Sequence, residues 1–114
     1  MNGTPLPGTA QIFHLNGEID HDQRQQLESA LGRAVAERPA RLIVNLAGLT
    51  FCDFTCLNAL LTTRTAAHAA GLPLVLAAPT SATRRLLETT GADEVLTICD
   101  SVRAALAGTG PRTG

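Results

Sequence analysis

A carboxylate and a hydroxyl two residues apart, Asp53 and Thr55, open a run whose apolar residues then fall at helical spacing: Leu57, Leu60 and Leu61. Either side chain can accept hydrogen bonds from the unpaired N–H groups of a first helical turn. A hydroxyl at such a place is open to a protein kinase, because a capping side chain points out of the helix end. A phosphate put there finds N–H donors and the positive end of the helix dipole. It also adds roughly −1.5 to −2 charges beside Asp53. The chemistry on offer is thus a reversible change of charge on a docking surface. The plain alternative is that Thr55 only caps a helix.

Other reactive types are scattered. Glu18, Asp20, His21 and Asp22 form a polar cluster. It reads as a metal or acid–base site, or more simply as turn and cap chemistry, with acidic groups offsetting the helix dipole. Cys52, Cys56 and Cys99 are three thiols in a chain of 114 residues. Their odd number argues against a disulfide framework, and their spacing lacks the paired ligands of a zinc site. A cysteine nucleophile needs a lowered thiol pKa and a nearby base, and no local signature of one is present. No metal, no cofactor and no catalytic residue is therefore expected. His14 reads as a solvent-facing strand residue, and Arg84 and Arg85 as a solvated helix face that an acidic group could meet.

The elements that must position Thr55 follow from pattern. Leu42, Ile43, Val44 and Leu46 make a continuous apolar run, which suits a strand covered on both faces. Ala47-Gly48 breaks it, and Thr50 to Asp53 carries the chain to the corner. Before it, Ala10 to Leu15 is a strand with Ile12 and Leu15 apolar and Phe13 on the other side. Asp20 with Gln23 forms a capping box for a helix bearing Leu27, Ala30, Leu31, Ala34 and Val35. Pro39 stops that helix. After the corner come a helix from Thr55 to about Ala70, a strand from Leu72 to Ala78, and a short helix ended by Gly91. A strand from Val95 to Cys99 and a last helix capped by Asp100 complete the pattern.

Bulk properties fit one α/β domain over residues 10–107, with loose segments at 1–9 and 108–114. Hydrophobic residues make up 45% and charged residues 17%, so the chain is globular. A net charge of −1, no Trp or Tyr and three Phe give no case for nucleic-acid binding. No apolar run approaches the ~20 residues of a membrane span. The start lacks a secretory pattern, so a cytoplasmic location is expected.

Three phrases in order also resemble a known family, the STAS domain of anti-sigma factor antagonists. Leu15-Asn16-Gly17-Glu18-Ile19-Asp20 is similar to its L-x-G-E-L-D. The stretch Asn45 to Leu57 is similar to its D-L-x-x-L-x-F-x-D-S-S-G-L, and Thr90-Gly91-Ala92-Asp93 to its T-G-L-D. The resemblance implies a single STAS-like domain, with a mixed, mostly parallel sheet of about four strands and about four helices. It implies a bacterial regulator of transcription that binds an anti-sigma factor, a serine/threonine kinase using ATP and magnesium, and so frees a sigma factor. The kinase would inactivate the antagonist at the second serine of D-S-S-G, which falls on Thr55. The first serine falls on Phe54 and the glycine on Cys56, so only Asp53 and the acceptor hydroxyl keep their type. Asp20, His21, Asp53, Phe54, Thr55, Cys56 and Asn58 are the expected partner-binding residues. Phe54, if exposed, is an aromatic anchor. The family's first strand has little room before Ala10, which implies an exposed sheet edge and a possible homodimer. An alternative within the same fold is a STAS subunit of a transport ATPase complex or sensory assembly, without phosphorylation.

Overall fold

Apolar side chains at period two, alternating between two covers, explain the central sheet. A computed structural model describes residues 10–19 and 21–107 of the chain. Its strands β1 (Ala10–His14), β3 (Arg41–Asn45), β5 (Leu74–Ala77) and β6 (Thr97–Cys99) form one sheet in the order β1-β3-β5-β6. Every pairing in it is parallel, with Ile12 beside Ile43, Val44 beside Leu76 and Leu76 beside Ile98. Parallel strands need crossovers, and helices α1 (Arg24–Ala36), α2 (Phe54–Ala69) and α3 (Ser81–Thr90) supply them. The expected α/β architecture with four helices is present; the fourth, α4 (Val102–Ala107), follows β6.

The two faces of the sheet are unequal. Phe13, Leu15, Leu42, Val44, Leu46, Leu74 and Leu76 pack with Leu27 and Leu31 of α1, Leu57 and Leu60 of α2, and Leu87 of α3. The smaller core on the other face holds Ile43, Val75, Ala77 and Cys99 under Ala105 of α4, with Ala10, Ile12 and Val102 at its margin. An Arg41 Nη1 hydrogen bond to the Ala105 carbonyl ties α4 to β3. Strand β1 thus divides differently from its sequence reading. Phe13 and Leu15 share the larger core, and Ile12 turns to the smaller one, as alternation along a strand requires.

Two further short strands stand outside this sheet. Strand β2 (Gly17–Ile19) pairs in parallel with β4 (Leu49–Cys52), with an irregularity between Gly17 and Glu18. The sequence reading has a turn at Gly17 and a connecting segment over Thr50 to Asp53 in place of these strands, because three- and four-residue strands carry too little alternation to stand out. A clasp joins their approaches: Gly17 N–H donates to the Gly48 carbonyl at 2.8 Å. Gly48 also leaves room for the exposed Asn16 side chain, which would have to swing aside for a larger residue. A Cβ on it would stand 2.0 Å from Asn16 Oδ1.

Helix ends refine the expected boundaries. A 3-10 turn at His21–Gln23 precedes α1, so the α-helix starts later than the Asp20–Gln23 box implies, and Gln23 makes no side-chain cap bond. Asp20 itself, like segments 1–9 and 108–114, lies outside the described residues. Thr80 caps α3 by accepting from Thr83 N–H at 3.3 Å, and Gly91 ends it in the left-handed region at φ 79°. Ser101, rather than Asp100, caps α4, its Oγ accepting from Ala104 N–H at 3.0 Å. Asp100 instead pairs with Arg84 at 3.2 Å.

One polar group sits at odds with this packing. Gln11 lies on the same side of β1 as Phe13, is only 5% exposed, and its Oε1 has no hydrogen-bond partner. A buried acceptor left unpaired costs about 1–3 kcal/mol. Gln11→Met, which keeps the length and removes the unpaired oxygen, is expected to raise stability by about 1 kcal/mol. A shift of the urea midpoint to higher concentration at unchanged slope checks this.

Candidate functional site at the start of α2

The corner between β4 and α2 is fixed by one carboxylate. Asp53 is the N-cap of α2, with extended backbone at φ −117°, ψ −164°. Its Oδ1 accepts from Thr55 N–H at 2.9 Å and from Cys56 N–H at 3.3 Å. Of the two capping candidates, Asp53 therefore takes the role, and Thr55 lies inside the first turn. Two of the donors expected to await a phosphate are already bonded to Asp53.

The residues after the cap divide by helical geometry. Cys56, Leu57, Ala59, Leu60, Thr63 and Ala67 face the core. Phe54 is 64% exposed, an unusual state for a large aromatic side chain. Thr55 is half-buried and Asn58 is exposed. Phe54 and Asn58 are four residues apart and so lie on one face. Exposed Thr62 continues that stripe along the helix. Asp53, Phe54, Thr55 and Asn58 are thus gathered at one end of α2. Cys56 is fully buried, so its side chain faces away from any surface that these residues form. His21 belongs to the 3-10 turn before α1.

The remaining chemical candidates separate from this corner. Cys56 and Cys99 are buried thiols, and burial pushes the Cys99 pKa up, partly opposed by Arg41. Neither meets the requirement of an accessible thiolate nucleophile. Among the described residues no group of three or more His, Cys, Asp or Glu could hold a metal ion. No helix among them is long and apolar enough to cross a membrane. His14 is exposed, as expected, and its Nδ1 lies 3.0 Å from Asn45 Nδ2. Asn45 Oδ1 accepts from Ala47 N–H at 3.1 Å, which fixes the amide so that its NH2 donates to His14 Nδ1. The pair, absent from the sequence reading, follows from parallel register, since His14 and Asn45 are direct neighbours.

The fold matches one family. The STAS domain model matches residues 4–105, and the chain belongs to that family. Solved structures agree. An anti-sigma factor antagonist from Mycobacterium paratuberculosis is 26% identical at a TM-score of 0.74, with 88% of this chain and 85% of that chain covered. The anti-sigma factor antagonist SpoIIAA in its unphosphorylated form is 18% identical at a TM-score of 0.72, covering 90% of each chain. A sulfate transporter family protein from Wolinella succinogenes is 22% identical at a TM-score of 0.77, covering 93% of this chain and 88% of that one.

The cap can be tested apart from any partner. Asp53→Ala is expected to cost about 1 kcal/mol, while Asp53→Asn, which still offers an acceptor, costs only a few tenths. Faster amide hydrogen exchange at Thr55 and Cys56 in the alanine variant alone checks the assignment by NMR.

Proposed function

We propose that this STAS domain is an anti-sigma factor antagonist, binding a serine/threonine-kinase anti-sigma factor and switched off by phosphorylation at Thr55. The observation that carries the reading is the pairing of a half-buried acceptor hydroxyl with an exposed aromatic neighbour on the first turn of α2. The likeness to the antagonist from Mycobacterium paratuberculosis supports it.

In this reading the partner docks on the β4–α2 corner. Phe54 anchors it, because an exposed aromatic ring yields much apolar burial at little entropic cost. Asn58 contributes hydrogen bonds one turn along, and Asp20 and His21 are further contacts in this reading. Cys56 acts from within, filling the core under the first turn where the family has glycine. Phosphorylation then sets a doubly charged group against the Asp53 carboxylate, which already holds the Thr55 and Cys56 N–H groups. The phosphate must share or displace that cap. The added negative charge and its hydration oppose docking while the core of α2 stays in place. The anti-sigma factor is then released to hold its sigma factor.

A second reading keeps the corner and changes the partner. The likeness to a sulfate transporter family protein favours a STAS subunit of a transport or sensory assembly. There Phe54 would still be the anchor and Thr55 an ordinary first-turn residue.

Intact-mass and peptide mass spectrometry of the protein purified from its own cells, with copurifying proteins identified, separates the two. Phosphate on Thr55 beside a kinase-type anti-sigma factor is the expected result. An unmodified Thr55 with a membrane transporter as the main partner would overturn it. Thr55→Ala is expected to bind the anti-sigma factor as tightly as the parent and to resist inactivation by ATP. Thr55→Glu should bind more weakly, and equal binding by both variants would sink an electrostatic switch. Phe54→Ala is expected to weaken binding at least tenfold, measured by calorimetry, with the thermal midpoint unchanged to within a few degrees.

A further inference from the structure

We propose that the β6 edge of the sheet is a self-complementary docking surface for a second copy of this chain. The two β6 strands would run antiparallel about a two-fold axis, with Asp93 and Glu94 of each copy against the partner's Arg84.

Strand β6 closes the sheet order, with β5 as its neighbour on one side. Its bonding groups follow from register. The Cys99 carbonyl accepts from Ala78 N–H at 3.0 Å, so Cys99 turns its backbone groups toward β5. Alternate residues turn the other way, so Ile98 directs its N–H and C=O to the edge that no other described strand occupies. Those groups can pair with their own equivalents across a two-fold axis, as antiparallel strands do.

The side chains along this edge are ordered by charge. A cleft of about 390 Å³ beside β6 is lined by Arg84, Asp93, Glu94, Val95, Thr97 and Ile98, among others. Asp93 and Glu94 precede the strand, whereas Arg84 is held by Asp100, just past its end. Two carboxylates thus lead, and the exposed Arg84–Asp100 ion pair trails. An antiparallel two-fold arrangement lays the leading end of one strand on the trailing end of the other. Each copy then makes the same contact twice, as an isologous interface requires. The Arg84–Asp100 pair is solvent-exposed and contributes little to the fold, so Arg84 can bridge to a second carboxylate. Val95, 49% exposed just before the strand, adds apolar surface next to Glu94 at the leading end. A parallel arrangement would set like charges together, and an unrelated strand would have to carry the same order of charge by chance.

The surface is separate from the Thr55 corner. Arg64 of α2 borders it, donating from Nε to the Val95 carbonyl at 2.8 Å. Thr55 lies nine residues earlier on the same helix, about 14 Å away along its axis. A pair formed through β6 therefore leaves both Thr55 sites open. With so short a strand, the association belongs to the weak, transient class of small interfaces.

Sedimentation equilibrium of the full chain tests this, from about 10 μM to about 1 mM in low salt. The weight-average mass should rise from 11.9 kDa toward twice that value, and less so in about 0.5 M NaCl. Arg84→Glu should hold the protein at the monomer mass, as should the double variant Asp93→Lys, Glu94→Lys. An equimolar mixture of the two should regain the dimer, because every cross-contact in the mixed pair joins opposite charges. Circular dichroism melts confirm that both variants are folded, as expected of exposed substitutions. A parent protein that stays monomeric throughout would overturn the proposal. So would charge variants that still dimerise, or folded variants that fail to pair when mixed.

Discussion

The hydrogen bonds that Asp53 Oδ1 accepts from the Thr55 and Cys56 N–H groups fix where α2 begins, and the helix's orientation must agree with that start. Each residue of an α-helix turns the next by about 100°. Starting at Phe54 sends Cys56, Leu57, Leu60, Thr63 and Ala67 to the core and leaves Phe54 and Asn58 outside. A start one residue away would turn a leucine toward water and bring Phe54 toward a core already filled by Leu31, Leu60 and Leu76. The cap and the buried leucine face therefore agree on one register, which also displays Phe54 and Asn58 beside Thr55.

Much of this was legible in the sequence, where pattern is strong. The apolar run around Ile43 and Val44 and the helical spacing of Leu27, Leu31, Ala34 and Val35 each reported an element of several residues. The pair β2–β4 was not legible. Its strands are short and bounded by turns, so periodicity has nothing to act on. The caps were ambiguous for another reason. Asp53 and Thr55, or Asp100 and Ser101, are both good capping types, and only backbone geometry chooses between them. Asp100 was drawn away by Arg84, a long-range partner that no local pattern announces. Gln11 was missed because a polar residue in an edge strand is ordinarily taken to face solvent.

The corner departs from its family phrase in a physically coherent way. Where the phrase has small residues on either side of the acceptor, this chain places a phenyl ring outside and a thiol inside. The inward position is filled by Cys56, which is fully buried and suited to a small apolar role. The outward position is filled by Phe54, which the fold does not need. A ring left in water at the tip of a rigid helix has an energetic bias toward being covered. That bias, more than the identity of the hydroxyl-bearing residue, distinguishes this surface from one carrying only polar groups.

The unequal covering of the sheet has a consequence for how the molecule opens. Three helices hold the larger core, whereas among the described residues the six-residue α4 is the one helix that covers Ile43, Val75 and Cys99. A helix that short has little stability of its own and is held by the Ser101 cap, the Arg41–Ala105 bond and Ala105 itself. Its release is a local event that leaves the rest of the sheet intact. Cys99 lies directly beneath it, a thiol that burial keeps protonated and silent. The protein thus carries a built-in gauge of its own fluctuations: the rate at which Cys99 becomes reactive is the rate at which the back of the sheet comes unlatched.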